Sequence, residues 1–200
     1  METKKVDWQL IILVCSIIII MIMGVRQSLC LFLDPITSFM KSGKEFFSFA
    51  IGVQAIIWGL VTFFLGILID KLGPQKVLAF GIISYSSGIF LMSNPTSEFV
   101  LFSATTLMGF GLGGAGMATM VSIAGKVAPV NKRSLAMGLV AAAASFGQFA
   151  VVLPTMWMNK EFGWEVSLVV LASISISLLL LLPLLNSTNE KNSNVQAFGK

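Results

Sequence analysis

The sequence contains no histidine, and only 11% of its 200 residues are charged. Histidine is the commonest metal ligand and general base, so its absence argues against a metal centre and against acid–base catalysis. A soluble domain carries about 25% charged residues, so this chain is not a water-soluble globule. Its formal charge is +4, but the basic residues are scattered between apolar runs, which argues against a nucleic-acid partner. We expect no cofactor, no metal and no catalytic residue.

Cysteine is nearly absent as well, with Cys15 and Cys30 only. At about 1.5 Å of rise per residue the two positions lie roughly 22 Å apart on one predicted helix, too far for a disulfide. We therefore interpret both cysteines as small apolar side chains. Lys4 and Lys5 precede an apolar run, as in a signal peptide, but the run continues past Met23 without a small-residue cleavage site. This pattern predicts a retained membrane span.

The sequence does contain several long runs of apolar residues. Six runs approach or exceed the roughly 20 residues that cross a bilayer, and helices alone satisfy their own backbone hydrogen bonds there. We therefore predict an all-α membrane protein, with residues 1–185 forming one six-helix bundle and residues 186–200 a polar tail or the start of a longer loop. The predicted spans are about 8–33, 46–69, 77–92, 99–124, 135–158 and 164–185.

The loop charges predict the orientation of the bundle. Nine basic residues fall on one side and three on the other, and the side richer in lysine and arginine faces the cytoplasm. Both termini are then cytoplasmic, in an integral multi-pass protein of the plasma membrane or bacterial inner membrane. The cytoplasmic set is Lys4, Lys5, Lys71, Lys76, Lys126, Lys132, Arg133, Lys191 and Lys200, and the opposite set is Lys41, Lys44 and Lys160.

Arg26 is the only charged residue well inside a predicted span. An arginine at the bilayer centre costs about 3 kcal/mol on insertion scales, so it normally faces water or a partner. Its guanidinium suits a carboxylate, which it can hold through two parallel hydrogen bonds. A second interpretation stays open: Arg26 lies nearer the outer end of a long helix and extends its side chain to the headgroups. Gln27 beside it is a further candidate for substrate binding.

Other polar side chains recur along two spans. Gln54, Trp58 and Thr62 follow one another at four-residue intervals on the second span, and Gln148 lies on the fifth. Such groups line a substrate path, or they tie helices together for about 1 kcal/mol each. Together with Arg26, they favour a polar cavity in which Gln54, Trp58 and Gln148 contact a substrate.

Glycines mark the fourth and fifth spans. Gly109, Gly113 and Gly116 form a ridge of small residues on the fourth, and Gly138 and Gly147 lie on the fifth. Small residues let helix backbones approach closely in membranes, so all five are predicted to pack helices together. A nucleotide-binding loop is excluded because such a loop follows a strand in a soluble fold.

The stretch GILIDKLGPQK runs from Gly66 to Lys76 between the second and third spans. Glycine permits close approach and sharp turns, so we predict a tight, charged turn at the membrane surface. Its spacing of glycine, aspartate and basic residues resembles the loop between the second and third helices of major facilitator superfamily transporters. The resemblance implies that Gly66, Asp70, Lys71, Gly73 and Lys76 form a conformational latch. Lys71 stands where that family more often has arginine.

A narrower resemblance covers most of the chain up to residue 185. GVRQSLCLFLDPI, QAIIWG and KRSLAMGLVAAAASFGQF are similar to segments of the branch that includes the oxalate–formate antiporter and the monocarboxylate transporters. It implies secondary active transport of a small organic anion, such as a mono- or dicarboxylate, by alternating access, with a possible coupling ion or counter-substrate. The first, second, fourth and fifth helices would line the path.

The chain departs from that family in length. Members usually have twelve helices in two halves, each with a 3+3 inverted repeat, whereas six spans are predicted here. The resemblance therefore implies a partner, either a missing C-terminal half or a second copy, besides membrane lipid. The alternative function is a non-transporting membrane scaffold or assembly subunit that keeps the same half fold.

Overall fold

The computed structural model describes residues 8–188, without the side chains of Asp70 and of residues 186–188. Lys4, Lys5 and the predicted tail beyond 188 lie outside the described residues. Within them, helices account for nearly all of the chain. The α-helices are α1 (Trp8–Ser28), α2 (Leu33–Met40), α3 (Lys44–Leu72), α4 (Pro74–Met92), α5 (Glu98–Ala115), α6 (Met117–Val127), α7 (Arg133–Ala150), α8 (Val152–Phe162) and α9 (Trp164–Ser177), with 3-10 helices at Leu29–Phe32, Val130–Lys132 and Leu178–Thr188.

Six helical segments are long and apolar enough to cross a membrane, and each overlaps one predicted run. The prediction of an all-α, six-span membrane fold is therefore confirmed. The helices extend beyond the predicted spans at most ends, because polar residues at the membrane surface continue a helix without adding to its apolar run. The six segments are Trp8–Met40, Lys44–Ile69, Pro74–Met92, Glu98–Val127, Val130–Phe162 and Trp164–Leu185.

The spans pack on one another in pairs, one of which recurs in the two halves of the bundle. The fourth span lies along the second and the third, the fifth lies along the first, and the third and sixth pack on each other. If the first, second and third spans are exchanged with the fourth, fifth and sixth, the pairing of the second with the fourth becomes the pairing of the fifth with the first. The 3+3 inverted repeat expected of the bundle predicts this correspondence, but the extensive pairing of the third span with the fourth has only a weak counterpart between the sixth and the first.

Glycines set the closest of these contacts. A Cβ added at Gly147 would lie 2.6 Å from the backbone Cα of Ile20 in α1, and one at Gly113 would lie 2.6 Å from Val61 of α3. One at Gly109 would lie 2.9 Å from the carbonyl oxygen of Gln54. Since real Cβ atoms do not come this near, these helices could not cross so closely with any larger residue. Gly138 differs, because a Cβ there would meet no atom within 4 Å.

Four of the six spans change direction or helix type partway, the sixth by passing into a 3-10 helix at Leu178. The first passes through a 3-10 turn at Leu29–Phe32, the fifth breaks between Ala150 and Val152, and the fourth breaks at Gly116. Gly116 has an extended backbone, with ψ at −170°. Its backbone lies beside Trp58, whose Nε1 would be 3.2 Å from an added Cβ. Discontinuous helices of this kind are typical of transporter folds at the level of the substrate.

The charged stretch between the second and third spans turns later than predicted. Gly66 lies inside α3, where a Cβ would meet nothing within 4 Å, so it neither turns the chain nor packs closely here. The turn is Gly73 alone, with φ at +85°, followed by Pro74 at the first position of α4. Positive φ favours glycine, and proline suits a first helical position. Lys71 and Lys76 are both exposed, whereas the side chain of Asp70 is outside the described residues.

This turn is tied to the end of the sixth span. Gln75, next to Pro74, donates a hydrogen bond from Nε2 to the carbonyl oxygen of Leu182, at 2.9 Å. Leu182 precedes Pro183 in the 3-10 helix that ends the described chain. The end of the sixth span is therefore held against the loop between the second and third.

Candidate functional site

Arg26 meets Trp58 across two spans. The guanidinium carbon of Arg26, in the last turn of α1, lies 4.9 Å from the centroid of the Trp58 ring in α3. Arg26 is half-buried, and its Nε is buried without a hydrogen-bond partner. No carboxylate of the described residues lies within ion-pair distance of it. The ring stabilises the cation through its quadrupole but leaves the guanidinium donors available.

The position of Trp58 fixes the depth of this contact. Trp58 is the fifteenth residue of the 29-residue helix α3, and so lies about 21 Å from either end at 1.5 Å per residue. Arg26 therefore stacks against the middle of a spanning helix, rather than reaching the headgroups beyond its end. Thr62, one turn further along, donates to the carbonyl oxygen of Trp58 at 2.7 Å.

Gln54 lies one turn before Trp58 on the same helix. Its side chain is only 1% exposed, and its Nε2 has no hydrogen-bond partner. Leaving a buried amide nitrogen unpaired costs about 1–3 kcal/mol. The site thus presents two unsatisfied donor groups from two different spans, Arg26 Nε and Gln54 Nε2.

A cavity of about 350 Å³ lies between the first and second spans at this level. Its polar wall contains Arg26 and Gln54, and no acidic residue lines it within the part of the chain that the structure describes. The remaining wall is mostly apolar. A ligand with one acceptor group and a small apolar body matches this distribution of donors and hydrocarbon. The other lining residues are Gln27, Leu29, Cys30, Leu33, Phe47, Ser48 and Ile51.

Six lining residues were not predicted from the sequence as parts of the site, among them Phe47, Ser48 and Cys30. Phe47 and Ser48 lie at the start of α3, and no spacing pattern in the sequence indicates that they line a binding site. Cys30 was interpreted as a small apolar residue, but it is exposed on the cavity wall and its Sγ donates to the carbonyl oxygen of Gln27 at 3.2 Å. The four-residue spacing of Arg26 and Cys30 was the signal that could have placed the thiol there.

Tyr85 of the third span positions α1 just below the site. It is fully buried, and its hydroxyl donates to the carbonyl oxygen of Ile22 at 3.1 Å. Ile22 lies one turn before Arg26. The third span therefore holds the segment of α1 that carries the guanidinium.

Not every predicted site residue joins this cavity. Gln27 lines it and is exposed. Gln148 is exposed on α7 and is absent from the cavity wall. Its neighbour Gly147 contacts α1, so Gln148 lies close to the first span without pointing into the space beside Arg26. Its substrate role stays a prediction.

The described residues hold no cluster of three or more histidine, cysteine, aspartate or glutamate side chains that could bind a metal ion. The chemistry available at the site is therefore hydrogen bonding, cation–π stabilisation and electrostatic attraction of an anion. These interactions bind and orient a ligand, and none of the lining groups is an activated nucleophile or a general base.

The sequence profile described as Major Facilitator Superfamily matches residues 7–199 of the chain. Two curated proteins are similar in sequence. The agnestins efflux protein of Paecilomyces divaricatus is 28% identical over 127 residues, which cover 62% of this chain and 27% of that protein. The vesicular acetylcholine transporter of Drosophila melanogaster is 31% identical over 151 residues, covering 72% of this chain and 25% of that protein. The chain therefore spans about a quarter of the length of the curated relatives that it matches.

Proposed function

The chain belongs to the major facilitator superfamily of membrane transporters, and we propose that it forms the half of a secondary carrier that binds a small organic anion. The proposed anionic group is a carboxylate, held by Arg26 with Gln54 beside it and Trp58 behind the guanidinium. The observation that carries the proposal is that one cavity holds a mid-span arginine with no carboxylate partner among the described residues and a buried, unpaired amide.

The energetic argument starts from the cost of Arg26. A charge in the middle of the hydrocarbon layer is expensive, and here cation–π contact with Trp58 offsets only part of that cost. A bound carboxylate would offset the remaining cost through charge-assisted hydrogen bonds to the guanidinium. The same anion would satisfy Gln54 Nε2. A cationic ligand would instead meet the Arg26 guanidinium and the Gln54 amide donor, with no acidic residue among the described residues of the cavity wall.

Transport requires a second body against which this bundle moves. We infer that a second six-helix half, or a second copy of the chain, closes over the cavity and that the pair alternates between two access states. In this arrangement the turn around Gly73 is cytoplasmic, and Asp70, Lys71 and Lys76 stabilise one state. A coupling ion or a counter-substrate would drive the cycle, and the protein would act in the plasma or bacterial inner membrane.

The two relatives support carriage of small organic molecules, as their names refer to efflux of agnestins and to acetylcholine. They do not share one substrate chemistry by name, so the preference for an anion here comes from this chain's own residues. Membership of a transporter family also makes an enzymatic role unnecessary, and it favours transport over the scaffold function.

The test is uptake of radiolabelled carboxylates by cells that express the full-length gene product. We expect Arg26→Gln to abolish saturable uptake and Arg26→Lys to retain a small part of it, because lysine keeps the charge but loses the planar pair of donors. Lys160→Gln, an exposed lysine on α8, is the charge-matched control and should transport normally. Membrane levels of all variants are measured by immunoblot.

Undiminished saturable carboxylate uptake by Arg26→Gln would overturn the assigned role. Absence of uptake by the wild type, with Arg26→Gln changing only co-purification with a membrane partner, would favour the scaffold function instead.

A further inference from the structure

A separate cavity of about 430 Å³ lies between α4 and α9, the third and sixth spans. Its volume is within the range of small-molecule sites, about 300–1,000 Å³. Ser86 and Ala172 line its buried floor, at 4% and 5% exposed, whereas Phe90 and Ile176 are exposed at its rim. None of its lining residues belongs to the cavity that contains Arg26. The two cavities are therefore formed by different pairs of spans.

The floor of this cavity contains an unpaired hydroxyl group. Ser86 Oγ is buried and has no hydrogen-bond partner. Ser86 lies six residues before the end of α4 at Met92, which is about 9 Å along the helix axis. At that depth the hydrocarbon layer supplies no water to satisfy a hydroxyl. A ligand in the cavity would supply the missing partner.

The sixth span contributes a complementary group. Ser173 lines the cavity from α9 and donates its own hydroxyl hydrogen to the carbonyl oxygen of Val169, at 2.8 Å. Its oxygen lone pairs therefore remain available as acceptors. The cavity thus offers a donor from Ser86 and an acceptor from Ser173. A ligand hydroxyl, which both accepts and donates, complements this pair of groups.

The surroundings of the cavity exclude a charged ligand. No charged residue lines it within the described part of the chain. The sequence has no charged residue at 77–92 of the third span or at 166–185 of the sixth. The exposed side chains on these two spans include Ile83, Ile174 and Leu180. An ion would be desolvated here without a counter-charge, which is costly, so the ligand is uncharged and soluble in hydrocarbon.

We propose that the cavity between α4 and α9 binds an uncharged lipid that carries one hydroxyl group. The lipid hydroxyl accepts a hydrogen bond from Ser86 and donates one to Ser173, and the hydrocarbon part lies along Phe90 and Ile176. A protein helix resting on that rim would satisfy its own backbone and leave the Ser86 hydroxyl at the floor unpaired. A single lipid chain is narrow enough to bring its hydroxyl to the floor.

The cavity does not depend on a moving pair of helices. At the opposite end of the two spans, Gln75 donates a hydrogen bond to the carbonyl oxygen of Leu182 at 2.9 Å. The third and sixth spans are thereby held together beside the site. Binding of the lipid should therefore be independent of carboxylate, and it can be tested without a transport assay.

The experiment is photolabelling of the full-length gene product in phosphatidylcholine nanodiscs, with an octanol that carries a diazirine. Labelled peptides are identified by mass spectrometry, and 1-octanol and octane are compared as competitors at equal concentrations in the membrane. We expect saturable labelling of α4 and α9. We expect 1-octanol to compete about twentyfold more strongly than octane, because each of its two hydrogen bonds contributes about fivefold.

Three variants test the assignment of the hydroxyl. Ser86→Ala should reduce the advantage of 1-octanol over octane by about fivefold and leave competition by octane unchanged. Ser177→Ala is the matched control, because Ser177 is exposed on α9, bonds to its own helix and does not line the cavity. It should behave as the wild type. Ser87 is exposed and lines the cavity, so Ser87→Phe should fill the space and abolish saturable labelling.

Three results would overturn the proposal. The first is equal competition by 1-octanol and octane in the wild type, which would mean that no hydroxyl is recognised. The second is an equal loss of the 1-octanol advantage in Ser86→Ala and Ser177→Ala. The third is a protein dimer that covers this face while no saturable labelling of α4 or α9 is detected, since a protein helix would then occupy the cavity.

Discussion

Arg26 and Trp58 connect the first and second spans at mid-membrane, with the guanidinium carbon 4.9 Å from the centre of the indole ring. The contact answers a question that the sequence left open, namely how a lone arginine is accommodated within an apolar run. The indole face stabilises the positive charge while the guanidinium edge remains free. Arg26 is thereby held as a charged donor beside a cavity.

The indole should matter for its π face more than for its volume. Replacing Trp58 with phenylalanine weakens the cation–π contact, and replacing it with leucine removes it. The contact is worth roughly 0.5–2 kcal/mol, so we expect carboxylate affinity to fall in the order Trp, Phe, Leu, by about thirtyfold at most. Competition of unlabelled carboxylate against labelled uptake measures the order. Equal affinities in the phenylalanine and leucine variants would show that only packing is involved.

Gln54 should show opposite effects on stability and binding. Its Nε2 is buried and unpaired, so Gln54→Leu removes an unsatisfied donor and should raise the melting temperature in detergent by a few degrees, because an unpaired buried group costs about 1–3 kcal/mol. The same change should reduce carboxylate affinity. Gln54→Glu, which adds a negative charge beside Arg26, should reduce affinity further by repulsion.

A helix-tying role for Gln54 predicts the reverse result for stability. In that case Gln54→Leu would lower the melting temperature and leave affinity unaffected, and Gln54 would have to be removed from the site.

Two glycines of α7 form a matched pair. Gly147→Ala places a Cβ against the backbone of Ile20, whereas Gly138→Ala places one in open space. Overpacking costs about 1–3 kcal/mol, so we expect Gly147→Ala to lower the melting temperature by about 5 °C. Gly138→Ala should leave it unchanged or raise it slightly, since alanine favours helix. A large loss of stability at Gly138 would mean that another chain packs on it.

The two cysteines should differ in reactivity. Cys15 is 0% exposed in the core of the bundle, whereas Cys30 is exposed on the cavity wall. We expect a membrane-impermeant, negatively charged thiosulfonate to label Cys30 only and to block carboxylate binding. Cys30→Ser should abolish labelling and keep binding. Labelling that proceeds equally with and without saturating carboxylate would separate Cys30 from the substrate space.

The sequence was sufficient for the secondary structure and for the number of spans. Long apolar runs must satisfy their own backbone hydrogen bonds in lipid, and this leaves the helix as their form. The turn at Gly73 was also anticipated in part, because glycine and proline act locally, whereas Gly116, predicted only to pack helices, breaks the fourth span. Gly66 was also expected to turn the chain, but it lies inside α3 with nothing packed on it. Residue type alone therefore does not show which glycine forms a turn.

The rotation of each helix about its own axis could not be predicted from the sequence. Hydropathy orients a helix only when one of its faces is polar, and nearly every face of these spans is apolar. The sequence alone determined six membrane helices, their order, and a single arginine that had to find a polar environment. Only the tertiary structure decided that Arg26 contacts Trp58 and shares a cavity with Gln54, that Gln148 does not line that cavity, and that Gly147 packs where Gly138 does not. Those outcomes depend on close contacts between residues distant in the chain. A glycine has no Cβ, so the backbone of another helix can pack against it, and this determines which helices approach closely.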